Sequence, residues 1–152
     1  MASRFHLIVV GKLKNNHIQA LEEEYLKRLT SPLIIHEVKA HSDEVIKEEK
    51  EIMSKVSQLS KASSPFIIIL TEHGQLMTSK KFSTFIDQRQ CENKEVFFII
   101  GGSCGFRPDF LKQSSFQLSL SPMILPHKLA RLIFIEQFYR AQTILAGHPY
   151  SH

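Results

Sequence analysis

The sequence predicts an α/β fold, a mostly parallel sheet with helices on both faces, and three features point to it. Five short apolar runs alternate with amphipathic segments, the order expected of strand–helix–strand units. Such crossovers force parallel pairing and cover both sheet faces. The chain has 152 residues, enough for one core, and no long Gly/Ser/Pro linker or internal repeat divides it, so 1–152 reads as one domain.

The elements follow in order. Phe5–Val10 is the first strand and runs into Gly11; Asn16–Leu29 has helical spacing; Leu33–Val38 is the second strand. Asp43–Leu59 is a helix with Ser42 placed to cap it, and its acid-rich face over 43–55 reads as solvated surface. Phe66–Leu70 is the third strand, and Lys80–Gln90 is a helix with Ser79 at the N-cap position. Val96–Ile100 is the fourth strand. Pro108 suits the first turn of a short helix, and Phe116–Leu120 is the fifth strand. The last helix runs from Pro126 to about Ala146, with Gly147 where a C-cap belongs.

Composition narrows the function classes. Hydrophobic and charged fractions of 43% and 22% are those of an ordinary soluble protein. The apolar runs are far too short to span a bilayer, no signal-peptide pattern is present, and no membrane partner is expected. Cys91 and Cys104 have neither disulfide nor metal-binding spacing, which favours a reducing cytoplasm and no metal. The net charge of +4 is compatible with a polyanionic partner without demanding one. Beyond Ser103 the acids are Asp109 and Glu136, against Arg107, Lys112, Lys128, Arg131 and Arg140. That bias suits phosphate contacts as well as it suits an ordinary surface.

Open parallel sheets bind ligands beyond the carboxyl ends of their strands. Three turns qualify: LTEHG (Leu70–Gly74), GGSCG (Gly101–Gly105) and LSPMILPH (Leu120–His127). The first strand ends in VVGKLK, with neither a dinucleotide-binding glycine fingerprint nor a P-loop. GGSCG also fits the G-x-S-x-G turn of serine hydrolases, but no acid and histidine follow in triad order. Asp109 sits six residues on, at a helix start, and Glu136 is mid-helix. Cys104 has no paired histidine and reads as an inert, partly buried thiol. The elbow reading fails, leaving a loop whose glycines let the backbone approach a ligand.

Leu132–Ile135 are four consecutive apolar residues in the last helix. At about 100° per residue they wrap most of its circumference, so one sheet face cannot bury them all. Because a final helix is usually peripheral, a second copy in a two-fold dimer is the favoured cover, and a charge at Phe134 is expected to break it. Glu136 and Arg140, four apart, read as a structural ion pair. The tail GHPYSH is either a frayed end or, through His148, Tyr150 and His152, a base-binding segment.

The strings FFIIGGSCGF and QLSLSPMILPHKLARLIFIEQFYRAQTILAGHPY, with VVGKLK, EEEYLKRL and LTEHGQLMTS, closely resemble the bacterial RlmH (YbeA) family of the SPOUT superfamily. The resemblance covers essentially the whole chain. It implies a trefoil-knotted α/β fold and methylation of N3 of a pseudouridine in 23S rRNA, within rRNA or assembled ribosomes, by a cytoplasmic homodimer. It also implies S-adenosylmethionine held by the three turns, at Leu70, Gly102, Ser121, Pro122, Met123, Ile124, Leu125 and Pro126. A side chain at Gly102 is then expected to fill the donor's space. On the substrate side, Arg131 and Arg140 hold phosphates or the ionised base, while His148, Tyr150 and His152 position the nucleoside. The chain departs from the family at Ser103–Cys104, at Ile124 and at Ser151. The alternatives are a SPOUT methyltransferase for another RNA, or a non-catalytic RNA-binding module of ribosome assembly.

Overall fold

The computed structural model describes residues 4–151. In chain order these form β1 (Arg4–Val10), α1 (Asn16–Leu26), β2 (Leu33–Val38), α2 (Val45–Leu59) and β3 (Phe66–Leu76). They continue with α3 (Ser79–Cys91), β4 (Glu95–Ile100), α4 (Pro108–Leu111), β5 (Phe116–Ser119), α5 (His127–Ala146) and a 3-10 turn at Pro149–Ser151. The strands pair in parallel as one sheet of order β2-β1-β4-β3-β5. The α/β class expected from the sequence is what the chain adopts.

The central strand β4 (EVFFII) shows how the two faces are built. Side chains alternate across a strand, so Val96, Phe98 and Ile100 join one core while Phe97 and Ile99 join the other. The first core is closed by α3 through Phe82, Phe85 and Ile86, by α5 through Phe134, Ile135, Phe138 and Ala141, and by Tyr25 and Leu26 of α1. The second is closed by Ile52 and Val56 of α2 and Phe110 of α4. Each fully buried side chain of this size contributes about 1.5–3 kcal/mol.

Several expectations are corrected. α5 is not peripheral: it packs against both α1 and α3 on its sheet face. Phe134 is fully buried there, so a charge at that position would break the core before any interface. The large apolar side chains that α5 leaves outside are Leu129, Ile133 and Leu145, 44%, 38% and 43% exposed. The acid-rich face of α2 is not all solvated, since Glu48 and Glu49 are buried. Ser42 and Ser79 are not the caps. Asp43 takes a positive φ of 58°, which delays α2, and Glu44 stands at its N-cap without a side-chain bond. Thr78 caps α3 by accepting from the Lys81 N–H at 3.1 Å, and Ser79, already helical, donates to Gln137 on α5 at 2.7 Å.

The third strand does not stop at Leu70. Leu70 and Gln75 both pair with Leu118 of β5, so residues 71–74 bulge out between them. Gly74 makes this possible: a Cβ there would lie 2.7–2.8 Å from the backbone of Gln117 and Leu118. A bulge of this kind re-aims side chains, and here it turns Thr71–His73 toward the carboxyl edge of the sheet.

Candidate active site

Three segments meet at that edge around a cleft of about 710 Å³, within the size range of small-molecule sites. They are the β3 bulge (Leu70–His73), the loop after β4 (Ile100–Phe106) and the loop from β5 into α5 (Leu120–His127). These are the three turns the sequence singled out. Leu70, Gly102, Ser121, Met123, Ile124, Leu125 and Pro126 line the cleft; Pro122 does not and is exposed. The sequence placed Thr71, Glu72 and His73 in a candidate turn without assigning them a contact, and it did not name Phe106, Leu111 and Ala130, which also line the cleft. The first three became part of the wall only because the bulge lies inside a strand.

The walls are held by hydrogen bonds that tie these segments to one another and to α2. The Ser119 hydroxyl lies 3.3 Å from the Glu72 carbonyl and 2.9 Å from that of Ser121, tying the bulge to the third loop. Ser121 in turn accepts from the Met123 N–H at 2.9 Å. Behind the second loop, Glu49 of α2 accepts from the backbone N–H of Arg107 at 2.9 Å and from its guanidinium at 2.8 and 2.6 Å. Glu48 accepts from the His41 N–H at 2.9 Å.

The glycines of GGSCG have other reasons than those expected. A Cβ at Gly102 would point at Val10 and Glu48, 3.2–3.3 Å away, rather than into the cleft. At Gly101 it would strike the Phe106 ring at 2.8 Å, and Gly105 has a positive φ of 66°. Gly102 lines the cleft with its backbone, so a larger residue there disturbs the packing against α2 first. Cys104 is exposed, not partly buried, with its Sγ 3.8 Å from Asp43.

Arg131 is not at the surface. It is 8% exposed, with Nε and Nη2 on Glu22 of α1 at 2.7 and 3.0 Å and Nη1 on Glu37 of β2 at 2.7 Å. Glu37 also accepts from the Leu13 N–H at 3.0 Å. Burial pushes the Glu22 carboxyl above its ordinary range, against the lowering effect of Arg131. With all three nitrogens committed inside the fold, Arg131 joins α1, β2 and α5 rather than waiting for a phosphate.

The tail is docked rather than frayed. Gly147 caps α5 at φ 70°, and the His148 N–H donates to the Thr143 carbonyl at 2.9 Å. Tyr150 packs edge-on to Tyr139 at 4.7 Å, lies 4.8 Å under the Arg140 guanidinium, and donates to Glu136 at 3.2 Å. Arg140 binds the same carboxylate at 2.7 and 2.8 Å, the ion pair the sequence predicted. Burial, then the Glu136 charge, pushes Tyr150 up to about 12, so it works as a neutral phenol. The Tyr150 N–H donates to Nδ1 of His148 at 3.1 Å, which leaves the proton of a neutral imidazole on Nε2. His152 lies outside the described residues. Among those residues, no helix is long and apolar enough to cross a membrane, and no acid, thiol and imidazole group could hold a metal.

The cleft and the tail sit at opposite ends of α5. The 20 residues of that helix span about 30 Å at 1.5 Å per residue. One chain therefore does not bring His148, Tyr150 and Arg140 to its own cleft.

The chain matches the family described as predicted SPOUT methyltransferase over residues 3–152. It is similar to the ribosomal RNA large subunit methyltransferase H of Prochlorococcus marinus (strain NATL1A), with 40% identity covering 97% of this chain and 95% of the relative. Its likeness to the protein of the same name from Coprothermobacter proteolyticus is 36%, over 97% of this chain and 98% of that one. Among solved structures, the SpoU methyltransferase AviRb of Streptomyces viridochromogenes, in complex with AdoMet, superposes with a TM-score of 0.54. At 12% identity, over 93% of this chain and 59% of AviRb, that likeness is one of fold.

Proposed function

This chain belongs to the SPOUT methyltransferase family, and on that premise we propose that it methylates ribosomal RNA of the large subunit in the cytoplasm. The donor is S-adenosylmethionine and the acceptor N3 of a pseudouridine. The observation that carries this reading is the cleft built from three turns at the carboxyl ends of β3, β4 and β5. Its apolar walls at Leu70, Leu120 and Leu125 suit a purine face, and the Ser103 and Ser121 hydroxyls with the Gly101–Gly102 backbone suit a ribose. Glu72, the one carboxylate lining it among the described residues, suits a cationic centre.

When bound, S-adenosylmethionine supplies a methyl group activated by a sulfonium, so the chain's own work is alignment and help in ionising the acceptor. The acceptor exchanges an N–H bond for an N–CH3 bond, and its imino proton leaves to solvent. The Arg140 charge and the Nε2–H of His148 both favour the ionised base. Tyr150, neutral at working pH, orients the nucleoside rather than taking its proton.

These groups reach a cleft only across a two-fold interface. An axis crossing α5 near its middle sets the tail of one protomer beside the cleft of its partner. Leu129 and Ile133 form the apolar part of that interface, with Met123 and Ile124, 75% and 81% exposed, on the rim. Ile133→Glu is expected to give folded monomers, since the residue lies outside the core and a carboxylate facing apolar surface is costly. Light scattering checks this, and a monomeric wild-type chain at micromolar concentration would end the shared-site reading.

The function itself is tested by calorimetry with S-adenosylmethionine and by mass spectrometry of 23S rRNA from a deletion strain. Donor binding together with loss of one methylated pseudouridine is expected. No donor binding would instead favour a non-catalytic RNA-binding module, and loss of a methyl group elsewhere would favour another RNA target.

A further inference from the structure

Beside the cleft lies a second, much smaller depression at the end of β1. Lys12, Lys128 and Arg131 line it, and it shares Ile100, Gly101 and His127 with the cleft wall. Its volume of about 10 Å³ holds no more than one small atom group, which excludes a free small-molecule ligand. It can still take one oxygen of a larger group lying across it.

The charges there are uneven. The carboxylates that approach this wall, Glu22 and Glu37, are both taken up by Arg131, and Glu37 is also held by the Leu13 N–H. Among the described residues neither Lys12 nor Lys128 has an ion-pair partner within 4.0 Å. Lys12 is exposed and Lys128 half-buried. Two cations brought to one notch repel each other unless an anion joins them, and the notch is continuous with the cleft.

We propose that Lys12 and Lys128 clamp a backbone phosphate of the RNA substrate at this notch, fixing the strand next to the nucleotide that enters the cleft. The proposal rests on the reading that the partner is RNA. It gives the VVGKLK segment, which lacks any nucleotide-binding pattern, a role in holding the substrate rather than the donor. A phosphate contact of this kind positions without reading sequence.

The test uses the full-length chain and purified large ribosomal subunits from cells lacking it. Filter binding is measured across a salt series for wild type, Lys12→Ala/Lys128→Ala and Lys12→Arg/Lys128→Arg. Loss of the contact to that one phosphate should flatten the slope of log affinity against log salt by about 0.7–0.9. Affinity at low salt should fall at least about tenfold, and the arginine variant should behave as wild type. S-adenosylmethionine affinity and the thermal midpoint should not move. An unchanged salt slope overturns the proposal. So does weakened donor affinity with RNA binding intact, because the notch would then hold the donor's carboxylate. If wild type transfers no methyl group but binds subunits with a lysine-dependent slope, the methyltransferase reading fails and the phosphate clamp stands. Failure of wild type to bind the subunits at all sinks both.

Discussion

A chain truncated after Gly147 is expected to bind S-adenosylmethionine as wild type does and to lose methyl transfer by at least about 100-fold, the usual cost of removing positioning and proton-handling groups. The cleft lies at the other end of α5, about 30 Å away, so donor binding does not depend on His148 or Tyr150. The fold should survive, because what is lost is a docked surface turn. Ser121→Trp makes the complementary lesion: Ser121 lines the cleft, and a large ring there should exclude the donor while leaving the tail intact. Each variant alone should be inactive. Mixed dimers should recover up to one of the two sites, since one interface then joins an intact cleft to an intact tail. Methyl transfer to large ribosomal subunits, measured after mixing and reannealing differently tagged chains, reads this directly. A mixed dimer that stays dead means that each protomer carries a complete site, and the shared-site proposal falls.

The fold was legible in the sequence where periodicity carried the signal. Each apolar run is a strand and each amphipathic segment a helix, and the three turns that line the cleft stand out in the sequence itself. The losses have local physical causes. The β3 bulge stayed hidden because its cause is a backbone contact between Gly74 and Gln117–Leu118, two segments more than forty positions apart in sequence. The glycines of GGSCG were tied to close approach of a ligand, whereas the groups that meet the Cβ positions of Gly101 and Gly102 are Phe106, Val10 and Glu48, which no local pattern names. Glu48 and Glu49 looked like part of a solvated face because their partners, His41 and Arg107, come from outside α2. The Leu132–Ile135 run did signal more apolar surface than one sheet face absorbs. It could not say that Phe134 and Ile135 would be the buried pair and Ile133 the exposed one.

Arg131 gives the most consequential difference between sequence and structure, and replacing it with alanine is expected to cost about 3–5 kcal/mol of stability near neutral pH. That is the usual result of removing one partner from a buried ion pair and leaving the other charged. Here two carboxylates are left, and Glu22, at 2% exposure, is the costly one. The pH dependence follows from the direction of its shift. Burial already raises the Glu22 carboxyl above its ordinary 4.5, and Arg131 supplies the leading opposing effects, so their loss raises it further. A carboxyl whose folded pKa is raised binds its proton more tightly in the native state. The charged form then destabilises the fold above that raised pKa, and the penalty disappears as pH falls toward 4.5. Urea unfolding of Arg131→Ala should therefore show its largest deficit at neutral pH and a smaller one in mild acid. Adding Glu22→Gln should recover part of the neutral-pH deficit, because it removes the stranded charge while keeping the shape. RNA affinity per folded molecule should change little. If Arg131→Ala unfolds like wild type at every pH but loses RNA binding, then the guanidinium serves the substrate after all, and the structural role assigned to it is wrong.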